Sequence, residues 1–250
     1  MTTGASGIAL GVDIGGTGMK AAPVRVADGA TVTARHRIPT PRPATPAAVA
    51  AVVGQLADHF AWSGPVGVAL PSVVRHGVVR SAANIDPSWI DTDAARLFAD
   101  VLGRPVTVLN DADAAGIAEM AHGAGRGHRG VVVMLTLGTG IGSAVFIDGH
   151  LVPNTELGHL EFRGDSIERW AAASARERDG LDWREWAGRV DDVLDVVGRL
   201  LSPDLVILGG GVSRTPEQWV PHLVTDCEVV VAHSANSAGI VGAAMVAATA

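Results

Sequence analysis

One arrangement of residues occurs twice in this chain and constrains its fold more than anything else in it. An apolar, β-branched run ends in a glycine-rich turn with a threonine, a second apolar run follows, and an Asp-Gly pair closes the copy. The first copy spans 8–29, with Gly15-Gly16-Thr17-Gly18 and Asp28-Gly29; the second spans 131–149, with Gly138-Thr139-Gly140 and Asp148-Gly149. Such runs read as strands, and Asp-Gly between them reads as a hairpin turn. Identity between the copies is thin, but the order of devices is the same. Two copies predict two related half-domains rather than a solenoid, which needs a short fixed period and more repeats.

The remaining segments alternate helix and strand. Residues 8–13, 19–26 and 31–37 read as three strands, 47–60 as a helix, 66–70 as a short buried strand, and 73–79 as a hairpin around His76-Gly77. Asp91 or Thr92 is expected to cap a helix running to Val101. A strand at 106–109 leads into a helix at 111–122. In the second half, Trp183, Trp186, Val190, Val193, Val197, Leu200 and Leu201 mark one helical face. Strands follow at 205–208 and 228–231. Residues 237–248 form a small-residue helix, apolar nearly all round and therefore buried. The pattern is α/β.

At 250 residues the chain holds one large domain or two small ones, at roughly 100–200 residues each. Hydrophobic residues make up 48% and charged residues 18%, which excludes disorder. The net charge of −7 argues against a general nucleic-acid binder, though not against a local basic patch. The single cysteine, Cys227, excludes an intrachain disulfide and a multi-cysteine zinc site. A reducing cytoplasm is the expected location, with no secretory signal in residues 1–6. Residues 130–147 carry no charge, but their glycines divide them into two strands around a turn rather than a membrane span.

Five motifs carry candidate chemistry. In Asp13-Ile-Gly-Gly-Thr-Gly-Met-Lys20, Gly15 and Gly16 let backbone N–H groups converge on an anion, and Thr17 adds a hydroxyl. Asp13 is placed to hold Mg²⁺ through water. The bland alternative is a tight turn with a surface aspartate. Gly138-Thr139-Gly140 is a similar turn, and the expectation is that the two grip a phosphate chain across a cleft. Gly209-Gly210-Gly211 permits close approach of a flat ring or phosphate, or is simply a strand-to-helix turn. Asn110-Asp111 stands where a strand meets a helix, the place where open α/β sheets hold ligands. Asp111 is there either an N-cap or a general base, the latter worth about 10²–10⁴ in rate. Glu156 and His159 are spaced to bracket a sugar-sized ligand. Zinc on Glu156, His159 and Glu161 is conceivable, but no cysteine or second histidine lies nearby. Asn84 and Asp86, in a polar break, read as turn residues or hydroxyl ligands.

Taken together these segments resemble the ROK family of sugar kinases, and within it the polyphosphate glucokinase branch. The resemblance runs from Gly11 to Met245. It rests on 11–20, 82–90, 110–116, 137–143, Pro153-Asn-Thr-Glu-Leu-Gly-His-Leu-Glu161, 209–214 and 236–244. It implies an actin-like, ribonuclease H-related fold of two lobes with a cleft, residues 1–111 with a returning helix at 236–250, and residues 112–235. It implies transfer of phosphate to the glucose 6-hydroxyl from inorganic polyphosphate, or from ATP as well, with Mg²⁺. Asp111 then corresponds to the catalytic base. Asn84, Asn110, Glu156, His159 and Glu168 match sugar-contacting positions. Asp13, Gly15, Gly16, Thr17, Lys20, Gly138, Thr139 and Gly140 match the phosphate loops, and Gly209, Gly210 and Gly211 the nucleotide side. The family's cysteine-rich zinc segment is absent, so no structural zinc is implied. A homodimer is common in the family.

Lys20, Arg126, His128, Arg129 and Arg214 lie close in sequence to glycine loops and are expected to form a track for a long polyanion; the alternative is a solvated surface. Three departures bear on the donor more than on the sugar. They are Ser72, where a glycine commonly follows the proline, 215–217, which lacks a lysine after Ser-Arg, and 231–235. The rivals are an ATP-only glucokinase or mannokinase, a catalytically inactive sugar-binding protein, and a sugar-responsive repressor. The last would need a helix-turn-helix module, and the first strand begins too early in the chain to leave room for one.

Overall fold

A computed structural model describes residues 7–83, 85–234 and 237–249. Asn84, Ala235 and Asn236, which the sequence analysis singled out, lie outside the described residues. The chain divides into two compact units, Met1–Ala118 with Ser237–Ala250, and Glu119–Asn236.

In the first unit, β1 (Ile8–Ile14) pairs antiparallel with β2 (Gly18–Arg25) and parallel with β5 (Val66–Leu70), which pairs parallel with β8 (Val106–Asn110). The third strand expected at 31–37 is broken into β3 (Ala30–Thr31) and β4 (His36–Pro39), both on β2. Four residues, 32–35, here span the width of Ala22 and Pro23. Proline has no N–H to give a ladder, and only the Pro23 carbonyl is used, accepting from Val32 N–H at 2.8 Å. The 73–79 hairpin forms as β6 (Val74–Arg75) and β7 (Val78–Val79), with His76 and Gly77 both at positive φ.

Alternation along β1 separates two faces. Leu10, Val12 and Ile14 pack under α1 (Pro46–His59) and α2 (Ala94–Leu102). Helix α1 opens on the Thr45 hydroxyl, with Pro46 at its first position. The cap of α2 is Asp93 rather than Asp91 or Thr92: its carboxylate accepts from Arg96 N–H, while Asp91 sits at positive φ and pairs with Arg80. The opposite face of the sheet, and α3 (Asp111–His122), receive α7 (Ala238–Ala247). A Cβ on Gly11, Gly67 or Gly242 would overlap the carbonyl of Ile240, Ala243 or Ala114 respectively. This helix therefore packs by backbone contact, which its small residues allow.

The second unit repeats the strand order. β9 (Val131–Leu137) is antiparallel to β10 (Ile141–Ile147), which carries β11 (His150–Val152). On the other side β9 is parallel to β14 (Leu205–Gly210), and that to β15 (Val229–Val231). A two-stranded hairpin, β12 (Glu161–Phe162) and β13 (Asp165–Ser166), leads into α4 (Ile167–Ala171) and α5 (Ala173–Asp179). The sheet's main cover is α6 (Trp183–Leu201), opened by a capping box between Asp182 and Glu185. Trp186, Val190, Val193, Leu194 and Val197 are buried, and Trp186 meets Trp219 edge to face at 5.3 Å. Of the expected stripe, Leu201 still packs on this core, whereas Leu200 is 60% exposed and lies off it. Among the described residues no helix is long and apolar enough to cross a membrane.

Candidate functional site

The first unit holds three of the expected groups. Residues 15–17 form the turn between β1 and β2, closed by a bond from Gly15 N–H to the Gly18 carbonyl. It is braced from β4 and the residue beyond it: Arg37 Nη2 donates to the Thr17 carbonyl at 2.8 Å, and the Thr40 hydroxyl donates to the Gly15 carbonyl. Asp13 lies 3.5 Å from Lys20 Nζ. Burial pushes its carboxyl above the ordinary value, against the opposing pull of Lys20 and Arg35. Gly15 and Gly16 also line a cavity of about 310 Å³ with Thr40, Arg42, Pro71 and Asp86.

At the C-terminal end of β8 the two readings of Asn110-Asp111 separate. Asn110 takes the cap: its Oδ1 accepts from Ala112 and Asp113 N–H at 2.8 and 3.0 Å, and its Nδ2 donates to the Ser72 carbonyl. Asp111 is the first residue of α3, half-buried, with Oδ1 accepting from Ala112 N–H at 2.8 Å. A carboxylate at a helix N-terminus is stabilised as the anion. The Ser72 hydroxyl is buried and has no partner among the described residues. Asp86 is a turn residue, accepting from the N–H and hydroxyl of Ser88, which hold its carboxyl below the ordinary value.

In the second unit, Glu156, His159 and Glu168 converge. His159 Nδ1 is 3.8 Å from Glu156 and its Nε2 3.9 Å from Glu168. Glu168 also accepts from Ile141 N–H at 3.1 Å, which ties it to the end of the second glycine turn. The Ser143 hydroxyl fixes the Glu156–His159 turn on β10, donating to the Thr155 carbonyl and accepting from Leu157 N–H. Burial raises the Glu156 carboxyl; His159 lowers it and Glu168 raises it further. Glu161 is exposed on β12. Gly138, Thr139 and Gly140 are braced by Ser174, whose N–H bonds to the Gly138 carbonyl and whose hydroxyl bonds to the Thr139 carbonyl. Gly210 pairs with Leu137, so the second and third glycine segments lie side by side at the C-terminal ends of parallel strands. Only glycine fits at 210, where φ is +91° and a Cβ would overlap the Leu137 backbone.

The expected basic track is divided between the units. Lys20 belongs to the first, paired with Asp13, whereas Arg126, His128, Arg129 and Arg214 belong to the second. One residue the sequence reading missed is Glu119. It is fully buried, with one oxygen accepting from Ala124 and His233 N–H and the other from Ser234 N–H. Its signal was an acid among the small and apolar residues of the later turns of α3. Among the described residues no cluster of three or more His, Cys, Asp or Glu side chains could hold a metal ion. One carboxylate already paired with a lysine fits only a Mg²⁺ carried mainly by phosphate oxygens and water.

Residues 9–172 match the model of the ROK family. The chain belongs to the ROK family. Among its relatives is the polyphosphate glucokinase of Mycobacterium tuberculosis, 49% identical over 94% of this chain and 89% of the relative. The polyphosphate glucokinase of Mycobacterium leprae is 47% identical over 94% and 73%. The crystal structure of the inorganic polyphosphate/ATP-glucomannokinase from Arthrobacter sp. strain KM superposes with a TM-score of 0.93, at 48% identity over 97% of this chain and 98% of that one. The actin-like fold of ROK sugar kinases, with its two related domains, is thus the fold of this chain.

Proposed function

We propose that this ROK protein is a phosphotransferase making glucose 6-phosphate from glucose, with inorganic polyphosphate as donor and ATP as a second donor. The observation that carries the reading is the division of labour at the end of β8. Asn110 caps the helix through the N–H groups of Ala112 and Asp113; Asp111 shares the Ala112 N–H through Oδ1 but is not needed as the cap, which supports a role beyond capping. In this reading Asp111 takes the proton of the sugar 6-hydroxyl as its oxygen bonds to the terminal phosphorus. The bond from that phosphorus to the rest of the donor breaks, and the shortened chain keeps the charge. Such transfer depends on positioning and charge stabilisation more than on covalent chemistry.

The other assignments are carried over from the resemblance. Asn84, Asn110, Glu156, His159 and Glu168 bind sugar hydroxyls. The glycine segments at 15–17, 138–140 and 209–211, with Lys20, hold phosphates. Mg²⁺, reached by Asp13 through water, supplies charge neutralisation on the donor. Lobes of 1–111 with 236–250 and of 112–235, a cytoplasmic location and a homodimer belong to the same reading. The names of the mycobacterial and Arthrobacter relatives support the donor and the hexose.

The test is hexose 6-phosphate formation by the purified protein with Mg²⁺ and glucose, comparing polyphosphate with ATP. Faster turnover with polyphosphate is the expected result. Turnover with ATP alone would sink the donor assignment and leave the base and sugar assignments standing. No turnover with glucose or mannose would favour a sugar-binding protein.

A further inference from the structure

Beside Lys20, the first glycine turn has a fringe of arginines that the reaction as described does not use. Strand register sets Asp13 opposite Lys20, and Lys20 opposite Arg37. Paired strands lie about 4.8 Å apart and paired residues share a face, so the three side chains form a row across β1, β2 and β4. Lys20 and Asp13 offset each other at 3.5 Å. Arg37 is exposed and lies flat on the turn: a Cβ on Gly18 would meet its guanidinium. Its bond to Thr17 engages one of the five N–H donors that a guanidinium carries. Arg35, also exposed, stands two residues earlier, just before β4. It is near enough for its charge to act on Asp13. Arg42 lines the same cavity as Gly15 and Gly16. Four cations, Lys20, Arg35, Arg37 and Arg42, thus border one turn, against the carboxylates of Asp13 and Asp86. In a chain of net charge −7 this local balance runs against the whole.

We infer that Arg35, Arg37 and Arg42 form a subsite for the phosphate residues that follow the one being transferred, and so select a long polyphosphate chain over a short donor. The inference rests on polyphosphate being a donor. A polyphosphate has no base or sugar to read; its recognisable feature is repeated charge. An extended fringe of guanidinium groups, each able to grip two phosphate oxygens, is the matching surface. A triphosphate brings fewer charges to it.

Arg37 also braces Thr17, so the test uses Arg35→Gln with Arg42→Gln. KM is measured for long-chain polyphosphate, tripolyphosphate and ATP, at low and high salt. The ratio of the long-chain to the tripolyphosphate KM should rise about three- to tenfold, because removed surface charges act mainly on capture of a charged partner. The salt dependence of the long-chain KM should flatten, since fewer counterions are exchanged. The charge-keeping pair Arg35→Lys with Arg42→Lys should restore most of the ratio, which separates charge from damage to the fold. An unchanged ratio overturns the subsite while leaving the donor reading intact. An equal rise for all three donors also overturns it, since the arginines would then act on the turn itself. A wild-type protein that makes no hexose phosphate from polyphosphate removes the donor reading, and the subsite with it.

Discussion

The two units use one strand order, and each fills one sheet face with helix side chains, under α1 and α2 in the first and under α6 in the second; α7, on the first unit's other face, is built differently. In each, a hairpin with a glycine turn sits beside two further parallel strands. The first unit lays α7 against its sheet through glycines, backbone on backbone. The second uses α6 and fills the space with Trp186 and Trp219. The ends of the last strands differ too. β8 runs into Asn110 and Asp111 at the start of a helix, whereas β15 runs into a turn whose N–H groups are taken up by Glu119. A duplicated scaffold therefore preserves the ladder, while its covers and strand ends are free to diverge, and it is a strand end that carries the proposed base.

The most severe test of that asymmetry is Asp111→Asn. It should lower kcat by about 10²–10⁴, the range for a lost general base, and leave glucose affinity nearly unchanged. Retained turnover would place the chemistry elsewhere. On stability, Trp186→Ala should cost about 3–5 kcal/mol, through the cavity left in the second unit's core. Glu119→Ala should follow, on the order of 2–4 kcal/mol, because three backbone N–H groups lose their acceptor. Gly11→Ala should cost about 1–3 kcal/mol by overpacking the first unit. Urea unfolding gives the sizes, and hydrogen exchange locates the loss. Loss of protection in the same unit for Trp186→Ala and Gly11→Ala would break the contrast between the covers.

The smallest expected effect concerns pH. Asp13 in one unit and Glu156 in the other are both raised by burial. Between the ordinary and the raised value the folded state binds more protons than the unfolded one. The contribution of each group to stability therefore falls as pH climbs from the ordinary carboxylate range through the raised value. Glu156→Gln should flatten that part of the stability profile. An unaltered profile would count against burial as the cause.

Much of the scaffold was legible because the signals are local. Glycine turns, Asp-Gly hairpins and buried β-branched runs act over a few residues, so 66–70 and 111–122 were read at their observed bounds. The misreadings have local causes as well: Pro23 withholds an N–H and breaks the facing strand, and Asp93 won the cap from two polar neighbours. In the candidate site, the residue types of the Glu156–His159 turn were visible, while Glu168 joined them only through the family resemblance, because a bond to Ile141, far off in the chain, positions that side chain.

By itself the sequence determined the duplicated order of strands and turns, and the residues that mark a ROK protein, since both follow from neighbours in the chain. Only the tertiary structure decided that Glu119 would hold Ser234, that Gly11 would meet Ile240, and that Arg37 would lie on Gly18. These contacts join residues far apart in the chain. Whether a buried carboxylate finds its donors, or a glycine its close neighbour, depends on which backbones the fold brings together, and no local pattern records that.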